Sequence, residues 1–380
     1  MNISQENHQE TLCTIALTQI PNLSLANAKM LYQTLGTATQ LFENRHCIRD
    51  IIPDATDRLQ NAMKNADEAL KRAEAEMQYI ELHHIQPLCY NDPDYPQRMK
   101  ECDDAPLILY YLGNADLNSS RIINMVGTRR CTEYGKDICN HFIADLKRYY
   151  PDTIIVSGLA YGIDVNAHRA ALANDMETIG VLAHGLDRIY PALHRSTAAT
   201  MTTHGGLITE YISGTTPEKM NFVRRNRIIA GISDATIVVE SAKKGGSLIT
   251  ADIAESYHRD VFAFPGRVYD EASEGCNHII KSQRATLIQN AEDFINAMCW
   301  PNPLQNADDN SESLELNLFT QLDPDETCII NSLSNCDSKQ INQICVDTGL
   351  PYSKVSSILF ELEIKGLVAI MGGGRYRLRH

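Results

Sequence analysis

Four segments of the chain have the glycine-rich or basic composition of anion-binding loops. They are residues 126–130, 156–164, 221–231 and 240–250. Glycine lets the backbone approach a phosphate closely, and the N-terminus of a following helix favours negative charge. One such loop is weak evidence, because glycine at a strand-to-helix turn is about as often required for packing alone. Four of them at one edge of a sheet would form a positive groove longer than a mononucleotide requires.

The same loops do not have the pattern of a dinucleotide-binding or hydrolytic site. Gly158 and Gly162 are separated by three residues, which is not the G-x-G-x-x-G spacing of a dinucleotide fold. Ser157 lacks the G-x-S-x-G surroundings of a nucleophile. Asp164 directly precedes a helix and is expected to cap it. We therefore predict no catalytic residue, no metal site and no cofactor, and so a protein that is not an enzyme.

These loops lie between short apolar segments that alternate with amphipathic helices. The predicted strands are 122–126, 153–156, 177–182, 206–209, 235–239, 261–264 and 286–288. Continuous apolar strands separated by helices indicate a parallel sheet covered on both faces. We predict an α/β fold, with a doubly wound, Rossmann-like parallel sheet, a small helical N-terminal domain and a C-terminal winged-helix domain. The predicted boundaries are 1–80, 81–298, an acidic linker at 299–322, and 323–380.

The two terminal regions have different helical patterns. Residues 1–80 indicate short helices of a helix-hairpin-helix or SAM-like module, followed by one charged helix over 57–80. Residues 323–380 indicate helices at 325–333, 338–348 and 352–365, and a wing at 367–378 with Gly372, Gly373 and Gly374 at its tip. The third helix carries as many acids as lysines, so it is expected to contact protein rather than duplex DNA.

Bulk composition limits the class of protein. The formal net charge is −14, which taken alone argues against nucleic acid, yet Arg224, Arg225 and Arg227 are clustered. No stretch of about 18 apolar residues is present, so no membrane span is expected. The eleven cysteines are scattered without a C-x-x-C pair, as in a protein with reduced thiols. With a polar start to the chain, these features indicate a cytoplasmic location.

Several strings occur in an order that resembles the DNA-processing protein A (DprA/Smf) family. They are the segments 126–129, 157–168, 190–191, 225–231, 246–251, 264–266 and 275–277. The resemblance covers about residues 90–290, and the helical and winged-helix ends also fit that family. Tyr161 departs from the pattern, because a basic residue is common there; it offers a ring for base stacking instead.

The resemblance implies a protein that binds and protects single-stranded DNA, forms a homodimer and loads the RecA recombinase during natural transformation. Carried over by motif, the first choices for phosphate contact are Arg129, Arg225 and Arg227. Second choices are Lys244, Gly158 and Gly246, with the glycines acting through backbone N–H groups. Tyr161 and Phe222 are the stacking candidates, although Phe222 could equally be a core aromatic. We expect a helix to begin near Arg227, with Arg225 in the loop before it.

Two other functions compete with this interpretation. One is a nucleoside-monophosphate-cleaving enzyme of the lysine-decarboxylase-like fold, which carries P-G-G-x-G-T-x-x-E. The comparable stretch, 245–252, lacks the second Gly-Thr and ends in Asp252 rather than glutamate. The other is a winged-helix regulator whose α/β domain senses a small nucleotide. The basic cluster around Arg225 is larger than that function needs.

Overall fold

The structure, a computed structural model, describes residues 3–21, 23–51, 57–64, 66–301, 303, 323–334, 338–371 and 374–378. These residues divide into two compact units. The first unit consists of Met1–Asn118, Ser157–Ala160 and Glu177–Ile232. The second unit consists of Ser119–Val156, Tyr161–Met176 and Ser233–His380. Most of the predicted linker, 304–322, lies outside the described residues, and the predicted domain boundaries stay predictions.

The first unit begins with helices and adds four strands. Its elements are α1 (Ile3–Gln19), α2 (Leu25–Leu35), α3 (Ala38–Glu43), α4 (Ile48–Ile51), α5 (Asp57–Lys64), α6 (Asp67–Leu82), β1 (Gln86–Cys89), α7 (Gln97–Lys100), β2 (Ile108–Gly113), β5 (Thr178–Val181), a 3₁₀ turn (Ala192–His194), α10 (Arg195–Met201), β6 (Gly205–Thr209) and α11 (Lys219–Gly231). Two of these helices, α2 and α3, begin at short polar side chains: Ser24 accepts a hydrogen bond from the N–H of Asn27, and Thr37 accepts one from that of Gln40.

The second unit contains the remaining strands of the large sheet and the winged helix. Its elements are β3 (Ile122–Val126), α8 (Glu133–Tyr149), β4 (Ile154–Ser157), α9 (Ile163–Ala173), β7 (Ala235–Val238), α12 (Gly246–Ser256), β8 (Asp260–Ala263), α13 (Glu274–Lys281), β9 (Thr286–Leu287), α14 (Ala291–Ala297), α15 (Pro324–Leu333), β10 (Lys339–Gln340), α16 (Ile341–Thr348), α17 (Tyr352–Ile364), β11 (Val368–Met371) and β12 (Arg375–Leu378). Every residue of β3 is buried, as expected for a strand covered on both faces.

The strand order of the large sheet is β1-β2-β6-β5-β4-β3-β7-β8-β9. Strands β3, β4, β7, β8 and β9 pair in parallel, as do β5 and β6. The α/β fold with a mostly parallel sheet, N-terminal helices and a C-terminal winged helix is therefore confirmed. The chain runs from β3 outward through β4 and later returns to place β7 on the other side of β3.

Two local predictions are wrong, and two strands were missed. Strands β1 and β2 were not predicted, and they extend the sheet in antiparallel pairing with one another and with β6. Residues 57–80 form two helices, α5 and α6, rather than one. Asp164 does not cap α9, because it lies within the first turn and Gly162 occupies the capping position.

The winged helix has its own apolar core. Ile329 of α15, Ile344 of α16 and Leu359 of α17 are fully buried together. Strands β10, β12 and β11 form a three-stranded sheet beside them. Two of the three glycines predicted at the wing tip, Gly372 and Gly373, lie outside the described residues. No helix in the described part of the chain combines the length and apolar character that a membrane span needs.

Candidate nucleic-acid interface

The strand order of the second unit creates a topological switch point between β3 and β7. The chain leaves β3 towards β4 on one side, whereas β7 pairs with β3 on the other side. In open α/β sheets, ligands bind at such a point, outside the carboxyl ends of the strands. The loop that follows β3 carries Arg129 and Arg130, and the loop that follows β7 carries Lys243 and Lys244. Both basic loops therefore flank the switch point.

Glu240 joins these two loops at the switch point. Its fully buried carboxylate accepts hydrogen bonds from the backbone N–H of Thr132 at 2.9 Å and from the Thr132 hydroxyl at 2.5 Å. Its carbonyl oxygen accepts a third from the N–H of Thr128 at 2.8 Å. Gly135 is required here, because a Cβ at that position would lie 2.3 Å from the Glu240 carboxylate. The loop after β3 is consequently held at both ends.

Arg129 lies in the middle of this held loop. Its side chain and that of Arg130 are exposed, while the strand that precedes them is buried. The following helix α8 is capped by Thr132, whose hydroxyl accepts from the N–H of Gly135 at 3.3 Å. The loop thus presents two cations to solvent from an anchored backbone, which suits contact with phosphate.

Tyr161 and Gly162 lie just before α9. Gly162 has a φ of +80°, and a Cβ there would be only 2.1 Å from the carbonyl oxygen of Thr128. This glycine is therefore needed to let the start of α9 pack against the loop after β3, where the N–H of Ile163 donates to the same oxygen at 3.2 Å. The Tyr161 ring beside it is about half exposed, as a stacking residue must be.

The loop after β7 differs in what its charged residues contact. Lys243 forms an ion pair with Glu274 at 3.2 Å. Lys244 is exposed, and no carboxylate in the described part of the chain pairs with it. Gly246, the first residue of α12, is exposed, and a Cβ there would meet no atom within 4 Å. Packing therefore does not require this glycine, unlike Gly162.

In the first unit, Arg225 is buried rather than presented to solvent. Only 3% of the surface of this residue is exposed. The Nη1 atom donates to the carbonyl oxygen of Gly158 at 2.6 Å and also to that of Val181. A Cβ at position 158 would lie 2.5–2.7 Å from the guanidinium, so the glycine makes room for it. The guanidinium carbon also lies 5.8 Å from the centre of the Phe222 ring.

Arg227 is held in the same unit by a different set of partners. It is 9% exposed, its Nη1 donates to the carbonyl oxygen of Asp104 at 2.6 Å, and its Nη2 pairs with the carboxylate of Glu210. Burial raises the pKa of Glu210, and the positive charge of Arg227 opposes that rise. A buried carboxylate of this kind depends on its partner for compensation.

The expected start of the helix in this region is wrong. Helix α11 begins at Lys219, not near Arg227, so Arg225 lies within the helix rather than in a preceding loop. Residues two positions apart in a regular helix point about 200° apart. This is why Arg225 and Arg227 turn to separate partners. That either arginine contacts phosphate stays a prediction, and both guanidinium groups have internal partners here.

The surface of α11 exposes other cations that the sequence-based choice passed over. Lys219 and Arg224 are both exposed. Phe222, between them, is half-buried, with its ring centre 5.9 Å from that of the half-exposed Tyr190. Lys219 and Arg224 precede the apolar residues 228–230 of the helix and lie outside its buried face, and this position was the sequence signal that could have identified the two cations.

His184 supports this aromatic pair from below the surface. Its ring is buried, with Nδ1 2.9 Å from the carbonyl oxygen of Gly185, and Nε2 accepts a hydrogen bond from the N–H of Tyr190 at 3.3 Å. Burial lowers the pKa of His184, and the hydrogen bonds to the backbone oppose that shift. The ring therefore favours the neutral form that can accept from Tyr190.

Comparison with known families identifies two matching regions. Residues 86–299 match the family described as DNA recombination-mediator protein A, and residues 318–374 match the DprA winged helix domain. Protein Smf of Synechocystis is 33% identical over 335 residues, which cover 80% of this chain and 83% of that protein. DNA processing protein DprA of Streptococcus pneumoniae is 40% identical over 204 residues, which cover 54% of this chain and 71% of that protein.

Two solved structures resemble the fold. The X-ray structure of DprA from Streptococcus pneumoniae superposes with a TM-score of 0.65 at 32% identity, covering 76% of this chain and 97% of the other. DNA processing protein A from Helicobacter pylori superposes with a TM-score of 0.51 at 29% identity, covering 57% and 95%. That second protein was solved for its single-stranded DNA binding mode.

Proposed function

Because the chain belongs to the DprA/Smf family of DNA recombination-mediator proteins, we propose that it binds and protects single-stranded DNA and loads the RecA recombinase onto it during natural transformation. Its place of action is the cytoplasm, where RecA meets DNA. The observation that carries the proposal is the pair of basic loops flanking the β3–β7 switch point. The Helicobacter pylori relative, with its single-stranded DNA binding mode, supports the choice of ligand.

Four of the proposed contacts lie in the second unit. Arg129 and Lys244 contact phosphate through exposed cationic groups. Gly246 contributes its backbone N–H at the start of α12, where the helix dipole favours an anion. Tyr161 stacks on a base. Stacking and phosphate contact together bind a single strand with little sequence preference, because every base has a π face.

The other proposed contacts lie in the first unit. Phe222 provides a second ring, and Gly158 provides a backbone N–H. The contribution of Arg225 is to hold Gly158 in place, and that of Arg227 is to fix α11 against Glu210. Their internal hydrogen bonds support this positioning role over direct phosphate contact.

Binding of oligo-dT and of a blunt duplex at several salt concentrations tests the proposal. We expect tighter binding of the single strand, with log K falling by about 0.7 per log unit of salt for each phosphate contacted. Arg129→Ala should weaken binding and make this slope shallower by about that amount. The matched control is Arg169→Ala, an exposed arginine farther along α9 that should leave both quantities unchanged. Equal or tighter duplex binding would contradict the proposal.

We further propose a homodimer that uses the edge of the sheet at β9. Thr286 and Leu287 are both exposed there, and β9 is the last strand in the order. An exposed edge strand offers unpaired backbone groups to a second chain. Sedimentation of Leu287→Arg should show monomer where the unchanged protein shows dimer.

RecA loading is tested separately, by measuring ATP hydrolysis by RecA on single-stranded DNA. We expect this protein to accelerate that hydrolysis.

We do not propose the nucleoside-monophosphate-cleaving alternative. Asp252, which would replace the catalytic glutamate of those enzymes, pairs with Arg284 at 2.6 Å on the surface of α12. Incubation with nucleoside monophosphates should release no free base. Release of base at a rate that depends on Asp252 would restore the enzymatic reading.

A further inference from the structure

An exposed apolar turn follows β8, on the second unit. Val268 is 79% exposed and Tyr269 is 99% exposed. The turn is held at its base by Asn277, whose side chain accepts from the N–H of Gly266 at 3.2 Å and donates to its carbonyl oxygen at 3.1 Å. An aliphatic and an aromatic side chain are therefore presented to water from an anchored backbone, which indicates a binding surface rather than an isolated exposed residue.

A groove of about 950 Å³ separates this turn from the start of α8. The lining residues are Thr132, Glu133, Tyr134 and 265–270. The Tyr134 hydroxyl donates to the carbonyl oxygen of Pro265 at 2.7 Å, which fixes its half-exposed ring at one wall. Tyr269 also contributes to the lining, with its side chain almost wholly in solvent. The groove has the size of a small-molecule site and two aromatic rings in its lining.

Among its described residues, the groove offers one unpaired cation. Arg267 is exposed, and no carboxylate pairs with it among the residues that the structure describes. The two acids of the groove are already engaged: Glu133 pairs with Lys136 at 2.6 Å, and Asp270 accepts from the Ser273 hydroxyl at 3.2 Å. A hydroxyl does not neutralise a carboxylate, so the lining holds one exposed cation, Arg267, beside the negative charge of Asp270. The rings, together with this cation, favour a single strand of nucleic acid over an acidic peptide, because its bases can stack while its phosphates meet positive charge.

The groove continues the row of basic loops. Strand β8 pairs with β7, and β7 pairs with β3, so the loops after the three strands lie in sequence along one edge. Two strand spacings amount to roughly 10 Å. We propose that the groove is a nucleobase-stacking subsite, in which Tyr269 and Tyr134 receive bases of a single strand whose phosphates lie on the loops after β3 and β7. This inference rests on the proposed single-strand binding.

The subsite is tested by a thermodynamic cycle that removes the Tyr269 ring from the protein and the base from the DNA, separately and together. Full-length protein, Tyr269→Ala and Tyr269→Phe are titrated with oligo-dT and with an abasic strand that has the same number of phosphates. We expect Tyr269→Ala to lose on the order of fivefold in affinity for oligo-dT and almost nothing for the abasic strand, since stacking is what the ring supplies. Tyr269→Phe keeps the ring and should bind normally. Tyr352→Ala, an exposed tyrosine of the winged helix, is the matched control.

This experiment gives different results according to which of the two proposals is wrong. If the unchanged protein does not bind oligo-dT, the proposed function itself fails. If it binds, but Tyr269→Ala has unchanged affinity or loses equally on both strands, the subsite alone is wrong. A shift in the sedimentation of Tyr269→Ala without a base-dependent loss would show instead that the groove is a protein interface.

Discussion

The Nη1 atom of Arg225 donates a hydrogen bond to the carbonyl oxygen of Gly158 at 2.6 Å, in space that is open only because residue 158 has no side chain. The two residues are 67 positions apart. Their contact links α11 to the loop after β4 within the first unit. The effect of substituting either residue on the stability of the protein should therefore depend on the identity of the other.

Arg225→Ala should destabilise the protein by about 1.5–3 kcal/mol, because two buried carbonyl groups lose a charged donor. Gly158→Ala should also destabilise it, but should add little in the Arg225→Ala background, where the guanidinium that its Cβ would meet is gone. Urea denaturation of the two single variants and the double variant measures this coupling. Losses of stability that simply add in the double variant would contradict this coupling.

A positioning role for Arg225 makes a second prediction. Arg225→Ala should lower the affinity for DNA without changing the dependence of that affinity on salt concentration.

Gly162 and Gly246 form a matched pair for separating folding from binding. Gly162→Ala should lower stability by at least ~1 kcal/mol, because φ is +80° and the new Cβ meets backbone. Gly246→Ala should change stability by less than about 0.5 kcal/mol and yet weaken DNA binding, because its methyl group keeps phosphate away from the backbone. Thermal unfolding and oligo-dT titration of both variants check this. Normal binding by Gly246→Ala would remove this residue from the site.

Lys243 and Lys244 are neighbours with different partners. Lys244→Ala should reduce affinity for oligo-dT more than Lys243→Ala does, since Lys243 already pairs with Glu274. The salt slope should become shallower by about 0.7 for Lys244→Ala. Titrations at four salt concentrations compare the two. The reverse order of effects would show that the ion pair opens when DNA binds.

His184 should make stability depend on pH. Burial lowers its pKa in the folded protein below the ordinary value of 6.5, so the unfolded chain takes up the proton first as the pH falls. The stability contribution of the neutral ring is thus complete above pH 6.5 and is lost progressively below it. Melting temperatures from pH 8 to pH 5 should fall further for the unchanged protein than for His184→Gln. Parallel curves would rule out this titration.

Deletion of residues 323–380 should leave single-strand binding largely intact. Three lysines of this region already pair with its own acids: Lys339 with Asp347 at 2.6 Å, and Lys354 and Lys365 with acids of α15 at 2.5 Å. Few cations are therefore left for phosphate. Oligo-dT titration of the shortened chain, with circular dichroism to confirm folding, tests this. Loss of binding in a folded truncation would place the strand on the winged helix.

The sequence predicted those parts of the fold that local pattern determines. The seven parallel strands were placed within one or two residues because each is a short apolar run between helices. Strands β1 and β2 lie in a segment without that alternation, and their pairing with β6 depends on contacts distant in sequence. The exposure of Arg129 followed from its position directly after a buried strand.

The burial of Arg225 could be predicted from the sequence only if the first residue of α11 was placed correctly. Arg225 precedes Ile228 by three residues and Ile229 by four, which places all three on one helical face. When the helix is assumed to begin near Arg227, Arg225 lies outside it, and the spacing of the three residues does not indicate a shared helical face. The hydrogen bonds of Glu240 to Thr132 could not be foreseen at all, because they join residues 108 positions apart.

Glu240 also determines what kind of ligand the switch point can accept. At the crevice in which doubly wound proteins commonly seat a nucleotide cofactor, this chain places its own buried carboxylate, bonded to the loop after β3. A free nucleotide entering it would have to displace an acid from its donors and would meet that acid's oxygens. We therefore expect the cations around the crevice to bind an anion that stays outside it and is long enough to cross from one loop to the next. On this proposal, the length of the ligand, rather than the shape of its base, is the basis of selection.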